Sequence, residues 1–213
     1  MAATTGAASP RRARARRGEG PRLRQEILAA ATRLLVQTGD EEAVSIRAVA
    51  EAVGVTPPSI YLHFGDKSEL ILAVCEEQFA RLDAEMAAAT AGVEDPVEAL
   101  RRRGHAYVDF GVANAEAYRV LFMYKQHLPE GADGQDLRGK ATFNHLVEAV
   151  QRCLDAGAFA PGDPMQISFG LWVMVHGITS LLIATPGHPW SFGREELVDH
   201  VIDDHLNGLL ART

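Results

Sequence analysis

Cysteine, lysine and the recurrent enzyme signatures are scarce or missing from this chain, and each gap closes off a class of function. The two cysteines, Cys75 and Cys153, both fall inside helical patterns. Without a Cys-x-x-Cys pair, and without an apolar leader behind the N-terminal basic run, they read as reduced thiols of a cytosolic protein. No phosphate-cradling GxxxxGKS/T loop, no GxGxxG behind a strand, no GxSxG elbow and no HExxH pair occurs, so neither an enzyme nor a bound cofactor is expected. Eight histidines are present, yet none recurs at i, i+4. The nearest thing to a ligand cluster, His200 and His205 around Asp203 and Asp204, has a spacing of five that separates the two imidazoles, so a solvated helix end accounts for it and no metal is expected. Alternating apolar and polar runs and internal repeats are absent too, which leaves an all-α fold.

What is present is unevenly charged. The 213 residues carry a net charge of −7 and are enough to bury a sizeable core. Up to Cys75, ten Lys and Arg face eight Asp and Glu; beyond it, eleven face twenty. A slightly basic head on an acidic body points to phosphate contact by the head alone. Residues 1–20 lack apolar periodicity and hold Arg11, Arg12, Arg14, Arg16 and Arg17, which reads as a disordered basic arm. Such an arm either follows DNA phosphates or stays solvated. Eighteen of the twenty-one basic residues are arginine throughout the chain, so arginine in the arm does not by itself choose between the two.

The stretch from Ser45 to Lys67 organises the rest. Ile46, Val49, Ala50 and Val53 recur at i, i+3, i+4 and i+7 behind an N-cap serine, Ser45, and Gly54 stops that helix. Thr56 caps a second helix with Pro57 at its first position, and Ile60 and Phe64 point inward. Two helices joined by a short Gly-containing turn are the helix-turn-helix signature, whose second helix enters the DNA major groove. Before it, Ile27, Ala31, Leu34 and Leu35 mark a first helix. After it, Asp66 and Glu69 form a variant of the capping box and open another helix. Lys67 opposes the dipole of that helix, a hint of a phosphate role.

Helical patterns continue through Met86, from Asp95-Pro96 to Phe110, from Asn114 to Tyr124, and from Ala141 to Phe159. The stretch between His127 and Lys140 reads as a loop. Pro164 opens the most apolar segment, closed by Pro186. Gln166, Ser168, His176, Thr179 and Ser180 interrupt it, so burial against a partner subunit explains it better than a membrane span. A last helix runs from Arg194 to about Ala211. Between the middle helices, His105, Tyr107, Phe110, Tyr118, Met123, Tyr124, His127, Phe143, Trp172 and His176 supply the mixture of aromatic and polar groups that lines small-molecule pockets.

The segment from Arg24 to Phe79, above all TPPSIYLHFGDKSEL, resembles the DNA-binding head of the TetR (tetracycline-repressor) family. Tyr118-Arg119 with Leu121-Phe122, and Trp172 followed by His176-Gly177, look like the subgroup whose C-terminal domain is named for a Trp-His-Gly motif. The resemblance implies a cytoplasmic homodimer with a three-helix helix-turn-helix head over 21–66 and a larger helical ligand-binding and dimerisation domain over 67–213, its last two long helices forming the dimer interface. It implies double-stranded palindromic operator DNA as one partner and a small-molecule ligand as another, with the membrane playing no part. Ser45, Arg47, Thr56, Pro57, Pro58, Ser59, Tyr61, His63 and Lys67 would face DNA. Pro58 departs from the small residue expected at its position. The expected activity is that of a repressor released by its ligand; the alternatives are an activator, or a helical binding protein that no longer reads DNA.

Overall fold

A computed structural model describes residues 20–123, 139–187 and 193–211. The basic arm, Tyr124, His127 and most of the expected loop lie outside them. Among the described residues the chain is helical: α1 Gly20–Thr38, α2 Ile46–Val53, α3 Pro57–Tyr61, α4 Lys67–Thr90, α5 Pro96–Ala113, α6 Ala115–Phe122, α7 Lys140–Asp155, α8 Pro164–Ala184 and α9 Arg194–Leu209. The single β-type pairing among them is an isolated bridge between Phe159 and Leu210, which ties the end of α9 to the link between α7 and α8.

Local chemistry sets most of the helix ends. Ser45 Oγ accepts from the Ala48 amide at 3.1 Å and starts α2, and Gly54 ends it in the left-handed conformation at φ 77°, which costs glycine little. The capping box at α4 is offset by one residue. Asp66 Oδ1 accepts from the Glu69 amide at 2.8 Å, while Glu69 Oε2 accepts from Gly65 rather than from Asp66, at 2.6 Å. Asp95 and Asp163 cap α5 and α8, each with proline at the first helical position.

Two apolar cores result. The first holds Ile27, Leu28, Ala31 and Leu35 of α1, Val49 and Ala50 of α2, Ile60 and Phe64, and the leading half of α4 as far as Phe79. It also takes in Val120 and Leu121 of α6, so residues of the body help to build it. The second is centred on α5, which packs against α4, α6, α7, α8 and α9. The helix α8 is long and apolar enough to cross a membrane by length and composition; here Leu171, Met174, Val175 and Ile178 turn into this second core. Its buried hydroxyls are satisfied within the helix, Ser168 by the Pro164 carbonyl and Thr179 by the Val175 carbonyl, both at 2.6 Å.

Where α5 crosses α8, Gly111 allows the close approach: a Cβ at that position would run into Cγ2 of Thr179 and press on the Tyr118 ring. Overpacking of this kind typically costs about 1–3 kcal/mol. Gly111→Ala is therefore expected to lower the unfolding free energy by that amount, read as a lower urea midpoint at unchanged slope, and an unchanged midpoint would show that α8 can slide aside.

Candidate functional site

The short helix α3 presents the residues expected to face DNA. Thr56, Pro57, Pro58 and Tyr61 are exposed, and Ser59, His63 and Lys67 are partly buried. Ser45 and Arg47 are exposed at the start of α2, so all nine lie on or beside the two helices of the turn motif. Pro57 and Pro58 occupy the first positions of α3 and carry no N–H, and the Ser59 amide is taken by the Thr56 carbonyl at 2.8 Å. Amide donors are thus missing where a helix N-terminus normally offers them. The polar groups left at this end are the side-chain hydroxyls. Thr56 does not cap the helix with its side chain; its Oγ1 lies 3.2 Å from Ser59 Oγ instead, making a linked hydroxyl pair. Lys67 reaches the backbone oxygen of Glu42 at 3.4 Å and its carboxylate at 3.6 Å, an ion pair that also answers the unfavourable helix dipole. Leu62, at 84% exposure, was not singled out from the sequence, where an outward-facing leucine carries no chemical signal.

A cavity of about 570 Å³ opens in the body. Phe79, Leu82 and Met86 of α4 form one wall, Leu100, Arg103 and Tyr107 of α5 a second, and Phe143, Phe169, Trp172 and His176 a third. Of the aromatic and polar candidates read from sequence, Tyr107, Phe143, Trp172 and His176 line it. Tyr118 stands directly behind His176, fully buried. The others point elsewhere. His105 turns to α9, where Nε2 lies 3.3 Å from Asp199. Phe110 is buried beneath the Arg81 guanidinium, 5.9 Å from its ring centre. Met123 is exposed past the end of α6, and Tyr124 and His127 lie outside the described residues. Leu82 and Met86 of α4 and Leu100 of α5 escaped sequence reading because apolar residues recur there with the same helical period as ordinary core.

Polar groups in the cavity wall are few and mostly paired. Arg103 donates to Asp83 Oδ1 at 3.2 Å, and His145 Nδ1 lies 2.6 Å from the other oxygen of the same carboxylate. Burial holds the Arg103 guanidinium below its usual pKa, against the pull of Asp83. His176 Nδ1 lies 2.7 Å from the Tyr118 hydroxyl and 3.2 Å from that of Tyr107. Burial pushes both phenols above their ordinary range and lowers the imidazole. The Phe122, Tyr118 and Trp172 rings pack around His176 at 5.0–5.5 Å, leaving it no nearby counter-charge in the set of rings that encloses it.

Two family models match the chain: "Bacterial regulatory proteins, tetR family" over residues 27–74 and "Tetracyclin repressor-like, C-terminal domain" over residues 100–205. The chain belongs to the tetR family of bacterial regulatory proteins. It is similar to the HTH-type transcriptional activator FasR of Mycolicibacterium smegmatis, 31% identical over 46% of this chain and 45% of FasR. The HTH-type transcriptional repressor AcnR of Corynebacterium efficiens is 44% identical over 28% of this chain and 31% of AcnR. The matched segments thus span less than half of either relative. A structure from Rhodococcus sp. RHA1, of a protein with unknown function, superposes with a TM-score of 0.73 at 28% identity, covering 89% of this chain and 96% of that one. The fatty acid degradation regulator FadR from Bacillus halodurans shares the fold, with a TM-score of 0.72 at 18% identity over 89% and 97% of the two chains.

Because burial lowers His176 in the folded state, the unfolded chain takes up its proton first as pH falls through about 6.5. This contribution to stability is complete above that pH and is lost below it. Chemical denaturation of the parent and of His176→Phe between about pH 5 and 7 is expected to show a steeper loss on acidification in the parent; equal slopes would mean that His176 titrates as freely folded as unfolded.

Proposed function

We propose that the chain is a homodimeric, sequence-specific DNA-binding transcriptional regulator, a repressor released from a palindromic operator when a small molecule fills the body cavity. One observation carries this reading: Phe79 and Leu121 belong at once to the core beneath α3 and to the cavity wall. Anything that reshapes the wall acts on the packing that holds the recognition helix. Linkage supplies the rest, since a ligand that binds one head arrangement better than another shifts the population between them.

In this reading Thr56 and Ser59 reach base edges or phosphates, Pro58 and Leu62 offer apolar contact to thymine methyl groups, and Tyr61, His63 and Lys67 set register on the backbone with Ser45 and Arg47. Functionally the chain divides into the arm at 1–20, the reading unit at 21–66 and the ligand-binding and dimerising body at 67–213. A second copy would cover α8, where Met165, Phe169, Val173 and Leu181 are all more than 40% exposed at four-residue intervals around Gly177, with α9 beside it. The Trp-His-Gly character of the body is supported by Trp172 and His176 standing one turn apart in the cavity wall. A cytoplasmic setting follows from the DNA partner. The naming of FasR as an activator supports a second reading, in which the same DNA contact recruits rather than blocks transcription.

A labelled duplex from the region upstream of the chain's own coding sequence is expected to bind at low salt and to lose affinity steeply as salt rises. Binding to no such duplex at any salt would sink the proposal. Ser59→Ala is expected to alter sequence preference. Lys67→Ala should weaken all duplexes alike and reduce the salt slope by about one; unchanged binding would leave Lys67 a purely structural partner of Glu42.

A further inference from the structure

The chemistry of the cavity ligand can be taken further, on the reading that the body binds one. Of the polar side chains in and behind the inner wall, Arg103 and the two tyrosines are engaged with the protein, while Lys140, Thr142 and Asn144 stand on the α7 side. Arg103 is neutralised by Asp83, which His145 also holds, and Tyr107 and Tyr118 both turn their hydroxyls to His176.

His176 itself is used on one side only. Nδ1 meets two phenol oxygens, at 2.7 and 3.2 Å. A phenol O–H is a stronger acid than an imidazole N–H, and the imine nitrogen a stronger base than a phenol oxygen. The favoured arrangement therefore has a tyrosine donating to Nδ1, which places the imidazole proton on Nε2. The ring lines the cavity, and its polar contacts among the described residues are made through Nδ1 and the backbone carbonyl. Nε2–H is left as a donor for whatever enters. The rings stacked on it, from Tyr118, Phe122 and Trp172, are uncharged. An ionised carboxylate lodged among them would lose its hydration without a positive partner, whereas a neutral acceptor loses little and gains the hydrogen bond.

We propose that the cavity takes a predominantly apolar ligand that presents an uncharged, carbonyl-type acceptor oxygen to His176 Nε2–H, with Tyr118 and Tyr107 acting as positioning residues that select the donating tautomer.

Two probes of nearly equal shape test this: benzophenone, which carries one carbonyl, and diphenylmethane, which lacks it. Titrated into the full chain with Trp fluorescence or calorimetry as readout, benzophenone is expected to bind about five- to tenfold more tightly, the gain of one net hydrogen bond. In His176→Phe that preference should vanish while diphenylmethane binds as before. If both probes bind equally to the parent, or the preference persists in His176→Phe, the acceptor proposal is overturned and the ligand-binding reading stands. If neither binds, the ligand-binding reading fails with it. Imidazole ¹⁵N NMR of the unaltered chain provides a test independent of any variant: a proton on Nε2 of His176 is expected, and a proton on Nδ1 would overturn the proposal.

Discussion

The contact between Phe79 and Phe122 is the interaction on which both halves of the molecule depend. The rings meet edge to face with centres 5.6 Å apart, a geometry that aligns the positive ring edge with the negative face. Phe79 sits in the core under the recognition helix and Phe122 packs against both cores. From Phe122 the contacts run on to Tyr118 at 4.9 Å and His176 at 5.0 Å. Close-packed aromatic neighbours do not deform by small degrees, since packing at crystal-like density leaves them few alternative arrangements. The head and the cavity therefore share one set of rings, and neither can repack alone.

That arrangement places the division of labour in α4 and α6 rather than between two separate blocks. The helix α4 runs for 24 residues, beginning in the reading unit and ending against α5. Its stripe changes partner midway, from the α1 residues to Leu100 and Tyr107. The close approach at Gly111 holds α5 to α8 at a point outside the cavity lining.

How much of this was legible in the sequence followed the physics of each element. Periodicity and caps marked the helices, because Ser45, Gly54, Asp66 and Asp95 each satisfy a backbone group within a few residues of themselves. The turn motif was legible for the same reason. Its face could be read from the inward Ile60 and Phe64 alone. The cavity was not, because it depends on which of several equivalent apolar stripes fails to close. Tyr107, Phe143, Trp172 and His176 stood out by residue type, while Leu82, Met86 and Leu100 looked like any core. His105 and Phe110 shared the type and lay on the wrong face of α5, which composition cannot separate. The capping role expected of Thr56 went instead to its pairing with Ser59, a choice made by two flexible hydroxyls and invisible before the coordinates.

The two prolines of α3 also bear on the state of the head before anything binds. A five-residue helix is far below the length of about 12–15 residues at which isolated helices become marginal in water. Pro57 and Pro58 have φ already set in the unfolded chain, so less backbone freedom is lost when the helix forms. Ile60 and Phe64 then pin it from beneath. A surface ordered in this way has little further backbone freedom to lose when it meets its partner.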